Sequence, residues 1–389
     1  MQLRPLESYD VSPERGFLCK YDPARVALPD ILQPVRSLSL SLPERIVAGR
    51  ARRDIESLEP VSLKALNELH DDAVLRTALV HYSFLAQAYV WCENTVPTSL
   101  PATVARPMWL LADRLGQPPI LTYSQYVLDN WSLIDKPGPI DLGNITMPQH
   151  FVGGMDESWF VLIHVGIEAE AGRMLGRIPD AISSANDEDT QALTHQLDEM
   201  IGVWGRMQDV FNRMPERCDP YMYFQRVRPW IHGWRDNPAL PNGILYEGVE
   251  EALGKPQSFR GQTGSQSSIV PVMDAFLSVG HGLDPLRGYL DELHIYRLPK
   301  HREFIDEVRA ASTVREAVKR AADPSLTEAY NECLEALTRF RTRHLEYAAS
   351  YIAKQSRAGA GNAPDVGTGG TPFMKYLKKH RDEADAHRL

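Results

Sequence analysis

Residues 325–352, SLTEAYNECLEALTRFRTRHLEYAASYI, place Leu326, Tyr330, Cys333, Leu337, Phe340, His344 and Tyr347 on one stripe. Their spacings of three and four are the period of an α-helix that buries one face. The stretch therefore predicts one long amphipathic helix, and the same signal recurs upstream. Leu193, Leu197, Met200, Ile201, Trp204, Met207 and Phe211 make a second stripe, residues 157–175 a third, and Leu75, Leu79, Tyr82, Ala86 and Tyr89 a fourth beginning at Asp72. A shorter helix is expected over Pro107–Leu115, stopped by Gly116 with Pro118-Pro119 beyond it. Thr313-x-x-Glu316 fits a capping box. Sustained two-residue alternation is nearly absent, so the expected fold class is all-α.

Residues 1–58 are rich in proline and charge and read as an irregular arm with short turns. Residues 134–156 carry three prolines and four glycines and read as a linker. The expected organisation is a small, mostly helical N-terminal domain with its linker over 1–148 and a large helical domain over 149–389. A length of 389 residues suits one large core plus a smaller one.

Hydrophobic residues make up 43% of the chain and charged residues 24%, as in ordinary soluble proteins. A net charge of -9 with dispersed basic residues argues against a nucleic-acid surface. The longest apolar stretch, Trp159 to Ile167, is nine residues and contains His164, far short of a membrane span. The N-terminus has no apolar signal-peptide core. Cys19, Cys92, Cys218 and Cys333 show no CxxC spacing and fit reduced thiols, so a cytoplasmic protein is expected. No Walker, HExxH or GxSxG motif is present.

Three segments carry chemistry. His301 lies in Leu298-Pro299-Lys300-His301-Arg302, where a proline opens a helix and the first turn presents the imidazole from a rigid base, as an axial iron ligand requires. Arg297, Lys300 and Arg302 could neutralise acidic cofactor groups; the same residues also fit a solvated basic patch. His164 shares a helix face with Phe160 and Ile167, and inside so apolar a run its ring must find a partner. If helical, Phe224, Arg228 and His232 share a face perturbed by Pro229, and an arginine beside an aromatic suits an amino-acid carboxylate. A core histidine and a buried ion pair are the plainer readings of these last two segments.

Taken in order, five stretches resemble the indoleamine 2,3-dioxygenase family over about residues 40 to 385. They are the segment from Pro119-Ile120-Leu121 to Asn130-Trp131; Arg228 with Gly233-Trp234; the glycine- and serine-rich loop from Phe259 to Ser268; Leu298 to Arg302; and Gly367-Thr368-Gly369-Gly370-Thr371 followed by Met374 and Leu377. The resemblance implies a haem b enzyme that cleaves the indole C2–C3 bond of L-tryptophan or a close derivative with O2. Both oxygen atoms then end in N-formylkynurenine. It implies His301 as the iron ligand, with Thr263, Gly264 and Ser265 at the haem edge. It further implies Arg228 on the substrate carboxylate, Thr368 closing over the amino-acid end, and Tyr126, Phe160, Tyr223 and Phe224 around the indole.

Two departures bear on the substrate. Vertebrate members carry serine where this chain has His164; histidine there resembles the distal residue of tryptophan 2,3-dioxygenases, which contacts the indole N–H, and implies a catalytic role for His164. His232 also replaces a serine, and Thr263-Gly264 replaces Ser-Ala. These differences leave open a methylated, halogenated or hydroxylated tryptophan. They also leave room for a haem enzyme of this fold that inserts one oxygen or rearranges its substrate; a haem-binding gas sensor is the remaining alternative.

Overall fold

Helix boundaries follow local chemistry closely. Asp71 accepts a hydrogen bond from Ala73 N, Asp189 from Ala192 N and Asp323 from Leu326 N, each satisfying an otherwise orphaned donor at a helix start. The computed structural model describes residues 2–280, 282, 285–357 and 373–389. In chain order the helices are α1 (Gln33–Leu40), α2 (Leu42–Val47), α3 (Ala51–Glu56), α4 (Leu63–Asn67), α5 (Asp72–Trp91) and α6 (Ala102–Arg114). These are followed by α7 (Met155–Leu175), α8 (Ile178–Asn186), α9 (Thr190–Asn212), the single turn α10 (Pro220–Met222), α11 (Ile269–Phe276) and α12 (Pro285–His294). The chain continues with α13 (Pro299–Ala311), α14 (Val314–Ala321), α15 (Pro324–Ala348), α16 (Lys354–Arg357) and α17 (Phe373–Asp385). Among the described residues the only paired strands are two-residue pieces: β1 (Ser99–Leu100) parallel to β4 (Leu245–Tyr246), and β2 (Ser132–Leu133) antiparallel to β3 (Ile145–Thr146). The fold is all-α, as the helical period predicts. No helix among the described residues is long and apolar enough to cross a membrane.

Three long helices, α7, α9 and α15, pack side by side, and α17 lies on α15. Helix α7 is buried on nearly every side, from Trp159 through Ile163 and Val165 to Leu175, so it forms an axis of the core rather than a surface element. Its first turn is held by Glu157, whose carboxyl accepts from the backbone N–H of Phe151 (2.7 Å), Val152 (3.0 Å) and Gly153 (2.9 Å).

Four expectations need correction. Residues 1–58 contain helices α1 to α3 rather than an irregular arm: Pro34 and Pro43 sit in first turns, where the missing N–H costs nothing and the fixed φ favours the helix. Helix α6 begins at Ala102, and Pro107 lies inside it; burial of Val104, Met108 and Leu111 outweighs one lost backbone bond. Thr313 forms no capping box, because its hydroxyl donates to Asn186 Oδ1 at 2.7 Å. Residues 223–232 are not one kinked helix. Tyr223–Val227 is a π turn, Arg228–Ile231 a 3-10 turn and His232 is extended, as expected where Pro229 withholds a donor.

The N-terminal turn meets α7 backbone to backbone. A Cβ on Gly172 would lie 2.5 Å from Gly16 N and 2.7 Å from Pro13 O. Gly172→Ala is therefore expected to destabilise the protein by about 1–3 kcal/mol. Gly205, exposed on α9 with nothing within 4 Å of its Cβ position, should gain roughly 0.5–1 kcal/mol as alanine. Denaturant unfolding of both variants checks the contrast, and equal effects would show that the close approach is not a constraint.

Candidate functional site

The loop 259–268 and the segment 228–234 cross at two glycines. A Cβ on Gly233 would sit 2.1 Å from Gly261 N, and one on Gly261 would sit 2.3 Å from Gly233 N. Only glycine permits this crossing. Trp234 N donates to Phe259 O at 2.9 Å and secures it. Beyond the crossing, Thr263 caps a 3-10 turn at Gly264–Gln266 through Ser265 N. Gln266 bridges outward, accepting from Tyr123 N at 2.9 Å and donating to Gly261 O at 3.0 Å. The buried Arg297 guanidinium donates to Ser265 O (2.8 Å) and Ser267 O (3.3 Å), tying the loop to the chain just before His301.

A cavity of about 430 Å3 opens beside this loop. Tyr123, His164, Gly264, Ser265, Arg297 and His344 are among its lining residues. On α7, His164 Nδ1 lies 2.7 Å from Phe160 O. A carbonyl can only accept, so Nδ1 carries the proton and Nε2 keeps a lone pair. Burial holds the ring below the ordinary histidine range, hence neutral. His344, on α15, is lowered to about 4, first by burial and then by His164. A Cβ on Gly264 would be 4.0 Å from both His164 Nε2 and His344 Cε1. Opposite charges also meet here: Arg341 Nη2 donates to both Asp274 oxygens at 2.8 and 2.6 Å.

His301 occupies the first turn of α13, 1% exposed. Its Nε2 is buried without a hydrogen-bond partner. Burial lowers its pKa to about 3, so the ring is neutral. It is not among the described lining residues of the cavity; Arg297, one turn earlier, is. Of the other nearby cations, Arg302 donates to Gly116 O at 3.2 Å and Lys300 is exposed.

An aromatic wall continues from His164. Phe160 lies 4.7 Å from both His164 and Tyr223, Tyr126 lies 6.5 Å from Phe160, and Tyr351 lies 5.8 Å from Tyr223. The Tyr126 hydroxyl is buried without a partner. Arg228 is fully buried with its guanidinium 5.4 Å over the Phe224 ring, and burial lowers its pKa. His232 Nε2 is buried and unpartnered, and its ring is lowered to about 3, first by burial and then by Arg228. Thr368 and the Gly367–Thr371 motif lie outside the described residues. Sequence reading did not find Glu168, His344 or Tyr351. Glu168 lies one turn beyond His164, and its Oε1 accepts from Tyr123 (3.0 Å) and Ser267 (2.7 Å); an acid inside an apolar helix was its available signal.

The family profile for indoleamine 2,3-dioxygenase matches residues 5–387. Indoleamine 2,3-dioxygenase 1 of Rattus norvegicus is 32% identical over 392 residues, which is 97% of this chain and 94% of that protein. Indoleamine 2,3-dioxygenase of Saccharomyces cerevisiae is 31% identical over 434 residues, 99% of this chain and 94% of that protein. A protein named myoglobin from Haliotis diversicolor is 28% identical over 386 residues, 98% of each chain.

Burial raises the Glu168 carboxyl from 4.5 to about 7, against the Ser267 and Tyr123 hydrogen bonds. The folded state thus holds a proton that the unfolded chain releases earlier. Its stabilising effect is full below pH 4.5 and is lost as pH rises to 7. Glu168→Gln should flatten the stability profile in that window, a difference on the order of 3 kcal/mol at pH 7. Denaturant unfolding at pH 4.5, 6 and 7 tests this, and parallel profiles for variant and parent would contradict it.

Proposed function

This chain belongs to the indoleamine 2,3-dioxygenase family, and on that premise we propose that His301 holds the haem iron and Arg228 the carboxylate of the substrate. The protein is a haem-dependent dioxygenase that oxidises tryptophan or a close indole derivative with O2. Haem, when bound, supplies the ferrous iron at which O2 is activated for cleavage of the indole C2–C3 bond.

The observation that carries the residue assignment is the unpartnered, buried Nε2 of a neutral His301. Such an atom costs free energy unless something takes its lone pair, as a haem iron held there would. The surroundings fit a porphyrin as well. Gly264 lines the cavity beside the loop, and Arg297 sets a buried cation on the cavity wall where an acidic cofactor edge would be neutralised. Thr263, Gly264 and Ser265 border that edge.

The remaining residues orient the amino acid. Arg228, already desolvated among aromatic rings, offers a fork that matches a carboxylate in two parallel hydrogen bonds. Phe160, Tyr223, Phe224 and Tyr126 form the apolar wall for the indole. His164 Nε2, with its lone pair fixed by the Phe160 carbonyl, accepts the indole N–H and orients the ring. His232 lies next to the Arg228 end and is assigned to the substrate's amino-acid group. The family resemblance assigns Thr368 to that end as well. A cytoplasmic location belongs to the same proposal, supported by four unpaired thiols.

Two measurements test this. Anaerobic reconstitution with haem, followed by 18O2 and tryptophan, should give N-formylkynurenine carrying two labelled oxygens; a product with one label or none would mean monooxygenation or rearrangement. Arg228→Ala should raise the KM for tryptophan by roughly a hundredfold, as loss of a charged bidentate pair implies, while leaving the haem spectrum unchanged. An unaltered KM would put the carboxylate elsewhere.

A further inference from the structure

The first turn of α13 is packed against a segment far away in sequence. Ser12 and Gly16 close a turn on each other, Gly16 N donating to Ser12 O at 2.9 Å. Gly16 adopts φ +58, and a Cβ there would stand 2.1 Å from Glu168 O. The turn is thereby seated on the backbone of α7, four residues beyond His164. The next residue, Phe17, is fully buried and puts its ring 4.8 Å from the His301 ring at 59°, and 6.2 Å from Phe304. Tyr9 packs on Phe304 at 5.0 Å and its hydroxyl bonds Glu307; Arg4 reaches Glu303 at 2.9 Å. One short segment thus grips both the helix that carries His164 and the helix that carries His301.

A metal-bound histidine ordinarily has its ring fixed by a hydrogen bond from its second nitrogen. No described side chain or carbonyl bonds either ring nitrogen of His301, so among protein groups only packing fixes its plane. We propose that Phe17, seated by the Ser12–Gly16 turn on α7, is a positioning residue that sets the orientation of the His301 imidazole toward the haem iron. This rests on the assignment of His301 as ligand. Phe17 acts through His301, the ring it packs on. The N-terminal segment, although remote in sequence, is part of the proximal wall of the site.

The test uses ferrous holoprotein and the iron–imidazole stretching band in resonance Raman, with steady-state kinetics alongside. Phe17→Ala should displace or broaden the band and lower kcat roughly tenfold to a hundredfold, with KM for tryptophan within about twofold of the parent value. Phe17→Leu, which restores part of the packing, should fall between parent and Ala in both readouts. Leu193→Ala, a buried cut in α9 away from the site, should lower stability without moving the band. A band in Phe17→Ala superimposed on the parent's would overturn the proposal. If that variant does not fold, a Phe17→Leu band coincident with the parent's overturns it and a displaced one supports it. His301→Ala, run in parallel, should lose the band altogether; a band that persists would mean another side chain is the ligand, a failure distinct from that of Phe17.

Discussion

A neutral imidazole buried with one nitrogen unsatisfied is a cost that a polypeptide carries only for a purpose. Around His301 the fold supports that cost from several directions. Pro299 fixes the entry of α13, and a Cβ on Gly116 would meet the Pro299 ring at 2.7 Å, so the end of α6 forms the seat of the turn. Phe17 closes the side. The buried Arg297 ties the approach to the loop that borders the cavity. Each of these contacts is long-range in sequence, so the position of His301 is a product of tertiary packing rather than of its own helix.

The same logic explains how the two halves of the site are kept in register. The Arg228 segment and the Thr263–Ser265 loop have little regular structure, yet they meet at a crossing where atoms of the two backbones nearly touch. Carbonyl oxygens of the loop are then taken by a guanidinium and an amide, leaving few soft degrees of freedom. Side chains on both strands of the crossing are therefore presented from a base as stiff as a helix. Binding residues on loops need such a base.

Much of this could be read in the sequence, and the residues show why. Helices whose apolar stripes face a core announce themselves, as α9 and α15 do, because burial and period coincide. Proline misled twice, at the start of the chain and at Pro107, since its local effect depends on where in a helix it falls. Thr313 misled because a cross-helix partner competed for its hydroxyl. His301, Arg228 and His164 stood out through family likeness rather than local chemistry. The grip of Phe17 on His301 was invisible, for nothing in a sequence reports a contact between residues 284 positions apart.

The glycines around the cavity divide into two kinds, and the division governs how the protein can drift. At Gly233 and Gly261 an added methyl group collides with backbone that cannot retreat, so substitution there is closed. At Gly264 the same methyl group would find both imidazoles at ordinary contact distance. Mutation can therefore resculpt the cavity floor by small steps while the hinge that holds it stays frozen. A lineage of such enzymes can diversify its choice of indole without ever passing through an unfolded ancestor.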